Sequence, residues 1–182
     1  MTITTRTALP VGTWTLDKAH SSISFVARHM MVTKVRGTFP AYDATIEVAE
    51  NPAESKVNIE IEVGSITTGA ADRDGHLVSA DFFDVANHPT MKFASTRIHE
   101  EDGQWHLTGD LTIKDVTRPV TLDVSFEGIQ TNPWGKTIAA FTATTEVERD
   151  AWGLTWNVPL ESGGLLVGKK VKLEIEAQLV QS

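Results

Sequence analysis

Between residues 57 and 63 the chain reads V-N-I-E-I-E-V, with an apolar residue at every second position and a polar one between. A period of two is the spacing at which side chains leave opposite faces of an extended strand. Val57, Ile59, Ile61 and Val63 can therefore line one face while Asn58, Glu60 and Glu62 meet water. The same alternation returns at Val120, Leu122, Val124 and Phe126, and again at Val171, Leu173, Ile175, Ala177 and Leu179. Weaker forms of it run over 13–16, 22–29, 34–48, 91–96, 104–114 and 137–149, so at least eight strands are expected. Turn residues punctuate them at Asn51-Pro52, Glu101-Asp102-Gly103, Asn132-Pro133 with Gly135, and Ser162-Gly163-Gly164.

Helix is scarce. The best candidate covers 70–83, and a short turn is expected at 29–33. Many short strands with little helix predict an all-β sandwich or barrel, and strand spacing alone does not choose between them. An eight-stranded barrel is just wide enough to be filled by side chains or to hold one small ligand. The small residues Ala27, Ala41, Ala44, Ala94, Gly109, Ala139 and Ala143 would leave space wherever they point inward.

A hydrophobic fraction of 41% over 182 residues is enough for a core, and nothing in the composition divides the chain. Residues 1–12 are expected to form a flexible leading segment and 13–182 the folded domain. The net charge of −8, without a Lys/Arg-rich run, argues against nucleic acid and against an anionic membrane surface as partners. No apolar stretch follows Arg6 at the start, and nowhere do about 18 apolar residues run together, so no integral membrane segment is expected and the chain reads as cytoplasmic. With no cysteine, disulfides, thiolate catalysis and Cys-based zinc sites are all excluded.

The six histidines show no H-x-H or HExxH spacing, so neither a metal site nor a cofactor is expected. His99, beside Glu100 and Glu101, reads as a solvated loop residue. His29 and His76 adjoin apolar neighbours and could present a polar tip in apolar surroundings. No GxSxG elbow accompanies them, and Ser21 next to His20 reads as a turn dipeptide. Paired carboxylates carry no specificity among 24 acidic residues. Most of the five tryptophans are expected to fill the core and its ends, whereas Trp152 and Trp156 lie in AWGLTWNVPLESGG, which reads as a loop over a barrel mouth.

One segment breaks the alternation. In RDGHLVSADFFD, residues 73–84, Leu77, Ala80 and Phe83 share one side of a helix while Asp74, Asp81 and Asp84 face water or cap ends. Such a helix either plugs a barrel end, tied down by Arg73 and Asp74, or gates a pocket.

Here the chain resembles the YceI-like family of polyisoprenoid-binding proteins. The resemblance rests on WTLDKAHSSISFVARHMMVTKVRGTF (14–39), EVGSITTGAADRDGHLVSADFFDVANHPTMKFAST (62–96), GDLTIKDVTRPVTL (109–122) and ERDAWGL (148–154), in order along nearly the whole chain. Asp115 stands where the family commonly has Gly, a change a turn tolerates because Asp also visits the left-handed region. The resemblance implies an eight-stranded antiparallel lipocalin-like β-barrel with one short helix covering an end, an apolar channel, and often a homodimer. It implies as ligand a long amphiphile such as a polyisoprenoid or isoprenoid quinone, carried, stored or sequestered rather than turned over. Phe25, Phe39, Phe82, Phe83, Trp152 and Trp156 are the residues expected to line the channel or its mouth, with His29, Arg73 and His76 as polar groups near one end. An isomerase or hydrolase acting on an apolar substrate, or a stress-response protein defined by a protein partner, are the competing expectations.

Overall fold

The structure is a computed structural model that describes residues 9–182. Its strands, in chain order, are β1 (Gly12–Leu16), β2 (Ser22–His29), β3 (Thr33–Thr38), β4 (Tyr42–Val48), β5 (Lys56–Glu62), β6 (Thr90–Glu101), β7 (Gln104–Ile113), β8 (Val116–Thr131), β9 (Thr137–Glu148) and β10 (Val167–Gln181). One α-helix among the described residues, α1 (Ala71–Val78), lies between β5 and β6. Neighbouring strands pair antiparallel in the order β1-β4-β5-β6-β7-β8-β9-β10, and β10 pairs back onto β1, which closes an eight-stranded ring. Closure is what removes the exposed edges of an all-β sheet.

The two remaining strands extend this ring. β10 is long enough to pair with β1 through Leu179–Gln181 and with β2 through its first half, while β3 pairs with β2. Thus β1 and β2 are one strand path broken at 17–21, and β3 and β4 are another broken at 39–41. The expected single strand over 34–48 fails at Pro40, whose missing N–H and fixed φ interrupt the ladder. Both breaks are stitched. Asp17 N–H donates to the Gln178 carbonyl at 2.8 Å, Gln178 N–H to Ser21 Oγ at 3.0 Å and Phe39 N–H to the Ile23 carbonyl at 3.0 Å.

Two apolar cores fill the barrel. Toward the end where β1 begins, Trp14 is fully buried with Ile46, Ala139 and Leu179, and its indole donates to the Pro10 carbonyl at 3.0 Å. The larger core joins Phe39, Tyr42, Ile61, Met91, Phe93, Leu111, Val120 and Leu122 to the residues of the opposite end. Of the small residues expected to leave space, Ala44, Ala139 and Ala143 do pack inward, whereas Ala94 is exposed. Gly109 leaves none, because a Cβ there would overlap the Phe93 ring. Gly37, paired with Phe25 across β3 and β2, likewise seats the Phe25 ring.

The outer face carries charge over partly apolar wall. Val26 and Ser24 are buried on this face, with Arg36 and Lys172 opposite Val26 and Glu174 opposite Ser24 on the adjacent strands. Hydrogen bonds from Arg36 and then Lys172 hold the Glu174 carboxyl below its usual range.

Two predictions follow from this packing. Gly37→Ala drives a methyl into the Phe25 ring and should lower unfolding stability in urea by about 1–3 kcal/mol. Combined with Phe25→Leu, which shortens that side chain, its cost should fall below the sum of the two single changes. Because the folded pKa of Glu174 is depressed, its contribution is present above the ordinary carboxylate value and is lost as pH falls through the folded one. Wild type should therefore lose more stability than Glu174→Gln between about pH 5 and pH 3, by under about 1 kcal/mol given the exposed partners.

Candidate functional site

At the barrel end opposite Trp14, three segments converge: the β2–β3 turn, the stretch between β5 and β6 that contains α1, and the loop between β9 and β10. The β2–β3 connection is a three-residue turn, Met30 to Val32, with Met30 and Met31 at φ 51° and 61°, not a helical turn. It leaves Met31 and Val32 64% and 74% exposed. The same left-handed pair recurs at Lys114 and Asp115 between β7 and β8, so Asp115 takes the conformation that the resemblance assigns to Gly.

The helix is shorter than its periodicity suggested. It stops at Val78, where Ser79 turns extended and its Oγ donates to the His76 carbonyl at 2.6 Å. The chain then folds back, with Phe83 N–H on the Leu77 carbonyl at 3.0 Å and Val85 N–H on the Val78 carbonyl at 3.0 Å. Phe82 and Phe83 thus lie on a turn beside the helix, and Ala80 is exposed. Asp74 does not face water as a free charge, since it accepts from the N–H and the hydroxyl of Thr68. Arg73 is exposed and folds back onto the same residue, its Nη2 donating to the Thr68 carbonyl at 2.8 Å and its Nε to Thr68 Oγ at 2.6 Å. A bridge between Thr38 and Thr67 docks this segment onto β3.

The aromatic residues fall into two contacting chains. Phe25 meets Phe39 at 5.6 Å between ring centroids, and Phe39 meets Phe83 edge-on at 6.0 Å. His76 stands edge-on to Trp156 at 4.5 Å and to Phe82 at 5.1 Å, while Phe82 and Trp156 are 5.3 Å apart. Such tilted and edge-to-face pairs suit the ring quadrupole. Trp152 joins the same core from the β9–β10 loop and donates its indole N–H to the Leu111 carbonyl at 2.9 Å. His29 stands apart, exposed at the end of β2. The structure therefore brings together seven of the nine residues expected at the site, leaving His29 and Arg73 outside the aromatic group.

His76 also contacts Asp81 at 2.8 Å, with both side chains partly open to solvent. His99 is not in a loop: it lies on β6 opposite His106 of β7, the rings stacked at 5.1 Å, and His106 in turn contacts Asp123 at 2.9 Å. Among the described residues no group of three or more His, Cys, Asp or Glu converges as a metal site. Trp134 departs from the expected tryptophan role, standing 83% exposed on the β8–β9 turn.

Above this end, a row of apolar residues crosses four strands at the same level. Ile23 pairs with Ile175, Ile175 with Ala143, and Ala143 with Val124. All four pack against the core, yet each keeps accessible surface.

The residue the alternation pattern did not reveal is Arg149. It is 5% exposed, and its guanidinium donates to four carbonyls: Gly168 at 2.9 Å, Leu154 at 2.7 Å, Trp156 at 3.0 Å and Val167 at 3.3 Å. The same group lies 5.8 Å over the Phe82 ring. Burial pushes its pKa down, and the nearby Asp150 opposes this. One side chain thus fixes both ends of the β9–β10 loop and presses it onto the aromatic group. Its only signal in the sequence is its place in ERDAWGL. Replacing it by Lys, a point charge with three donors, leaves carbonyls unpaired. Arg149→Lys should cost about 2–4 kcal/mol in urea unfolding and should raise proteolysis between residues 153 and 166.

Comparisons with known proteins agree with this architecture. The model of the YceI-like domain matches residues 14–179. A UPF0312 protein of Staphylococcus epidermidis is 38% identical over 164 residues, covering 89% of this chain and 94% of that protein, and one of Staphylococcus aureus is 36% identical over 167 residues, covering 91% and 95%. Among solved structures, the Campylobacter jejuni YCEI protein is 28% identical with a TM-score of 0.71, covering 92% of this chain and 96% of that one. Burkholderia cenocepacia BcnA superposes with a TM-score of 0.76 at 22% identity, covering 90% and 98%. A polyisoprenoid binding domain from Saccharophagus degradans, implicated in plant cell wall breakdown, superposes with a TM-score of 0.66 at 14% identity, covering 93% and 98%. With the family model spanning the barrel from Trp14 to Leu179, the chain belongs to the YceI-like family.

Proposed function

We propose that this barrel binds one long apolar amphiphile of the polyisoprenoid or isoprenoid-quinone class and carries or stores it without chemical change. The observation that carries this reading is the row Ile23, Ile175, Ala143 and Val124, apolar surface facing the core of a closed barrel and incompletely covered by other side chains. Apolar surface left accessible inside a fold gains from an apolar guest. Each five-carbon isoprene unit taken from water is favourable by about 4 kcal/mol at about 0.8 kcal/mol per carbon group, so a few units supply more than such a site needs. The fold shared with a domain described as polyisoprenoid binding supports the choice of ligand class.

The competing reading as a hydrolase or isomerase would draw on the His76–Asp81 pair. That pair opens toward solvent on the outer side of the aromatic group, and His76 turns the edge of its ring to Trp156 and Phe82. The geometry suits a rim group that orients a polar head better than a base held over a buried substrate.

Mass spectrometry of an organic extract, beside native mass spectrometry of the intact protein, should show a stoichiometric amphiphile bearing a long apolar tail. A protein that is empty and stays empty when offered prenyl chains would sink the proposal. Ala143→Phe, which fills the row without adding charge, should abolish retention while circular dichroism and unfolding temperature stay close to wild type.

A further inference from the structure

The barrel wall is not hydrogen-bonded all the way round. The β8–β9 ladder begins at Asp123 and Thr144 and runs from there toward the Trp14 end. On the other side of that pair, β8 from Val116 to Leu122 bonds only to β7, and β9 from Thr145 to Glu148 bonds only to β10. Pro119 lies on the freed stretch of β8, where a residue without an N–H is tolerated. A slot of about 520 Å³ occupies the gap. Its walls are consecutive residues, 118–121 on one strand and 145–148 on the other, so it is a seam between two strand edges and not a hollow on one face of the sheet.

The seam differs in make-up from rim to floor. Arg118, Thr121, Glu146 and Glu148 are exposed at its rim. Val120, Val147 and Trp152 at its floor belong to the main core. That core includes Ala143 and Val124, the pair next along the same two strands beyond Asp123 and Thr144. Apolar surface therefore runs without a break from the seam to the incompletely covered row.

The other routes into the barrel are shut more firmly. Trp14 fills one end. The aromatic group covers the other, under a loop held by the four hydrogen bonds of Arg149. The strand breaks at 17–21 and 39–41 leave a crease of about 160 Å³ with backbone bonds stitched across it. At the seam β8 and β9 can part without breaking a ladder between them.

We infer that the β8–β9 seam is the port through which the apolar chain of an amphiphile passes sideways into the barrel. This rests on the reading of the barrel as an amphiphile carrier. The chain slides between Val120 and Val147 past Trp152. The unpaired backbone groups of the two edges, together with Arg118, whose Nε lies 3.4 Å from the Ala151 carbonyl across the slot, offer hydrogen bonds to a small polar head that stays at the rim. Trp152, tethered to the Leu111 carbonyl, is the side chain that must yield for the chain to pass.

Because the native chain has no cysteine, the seam can be bridged selectively. Continuing the register of the ladder places Thr121 opposite Glu146, both exposed at the rim. A Thr121→Cys/Glu146→Cys protein would be joined by a short bis-maleimide and compared with the same protein left unbridged. The readout is the rate at which dansyl-tagged farnesol gains fluorescence on delipidated protein. An Asp123→Cys/Thr144→Cys pair, bridged where the ladder is already closed, is the control. Bridging the seam should slow loading by more than about tenfold, and bridging the control pair should not. Equal rates in bridged and unbridged seam protein, or equal slowing in seam and control, would overturn the port and leave the seam as a pair of free strand edges suited to an extended peptide. Failure of every unbridged protein to take up the probe would instead defeat the carrier reading, and the port with it.

Discussion

Everything in this fold depends on the last strand reaching the first. β10 pairs with β9 along one edge and with both β2 and β1 along the other, and its final three residues join β1 to complete the ring. Without that junction β1 and β10 would each present a row of unpaired amides, the template for edge-to-edge association. With it, the alternating apolar residues of eight strands face one enclosed space, and the two broken strand paths are pulled into register by the strand they share. The fifteen residues of β10 are what allow two shorter strands to act as one wall element.

A closed ring of this size must then decide what to do with its inside. At one end large side chains fill it, Trp14 foremost. Near Phe25 and Phe93 the same aim is met by removing side chains, since Gly37 and Gly109 are the flat places on which those rings lie. Ring-on-glycine seating binds aromatic residues to the wall instead of projecting them across the barrel, which keeps the middle from being crossed by bulk. The uncovered row at Ile23, Ile175, Ala143 and Val124 therefore persists beside a wall rich in Phe, a result that composition alone does not forecast.

How much of this could be read from the residues follows from which interactions are local. Alternation at 57–63, 120–126 and 171–179 reports which face each strand buries, and each of those segments is a strand except at Val63, which opens a 3-10 turn after β5. The barrel and its helix-covered end came from the resemblance, because strand spacing does not distinguish a barrel from a sandwich. Periodicity overextends the helix, since Leu77, Ala80 and Phe83 satisfy the period of a helix while the Ser79 hydroxyl that ends it competes through a single bond that no periodicity registers. His29 and Arg73 looked available for the same reason: neighbours in sequence were apolar, but the end of β2 is open to solvent and Thr68 holds Arg73. Arg149 was illegible in a deeper sense. Its partners are carbonyls, which every residue has, and only the path of the loop makes four of them converge. The expected flexible segment 1–12 lies outside the described residues for its first eight positions.

The two kinds of flaw in the wall have different physical causes, and that difference shapes how the molecule can move. The break at 39–41 comes from Pro40 and the one at 17–21 from a 3-10 turn capped by Asp17, and the chain repairs both at once with backbone and serine hydrogen bonds. The seam between β8 and β9 has no such backbone repair, only the long hydrogen bond from Arg118 Nε to the Ala151 carbonyl. Both strands run on past Asp123 and Thr144 as strands, each bonded on its outer side, so neither needs the other for its conformation. A break that is stitched resists opening because opening costs hydrogen bonds. A seam with no ladder opens against the contacts of Val120, Val147 and the tethered Trp152 and against that one hydrogen bond, 3.4 Å long. The barrel is thus compliant along the seam where its neighbouring ladders are continuous, which is a mechanical condition for admitting a long guest without unfolding.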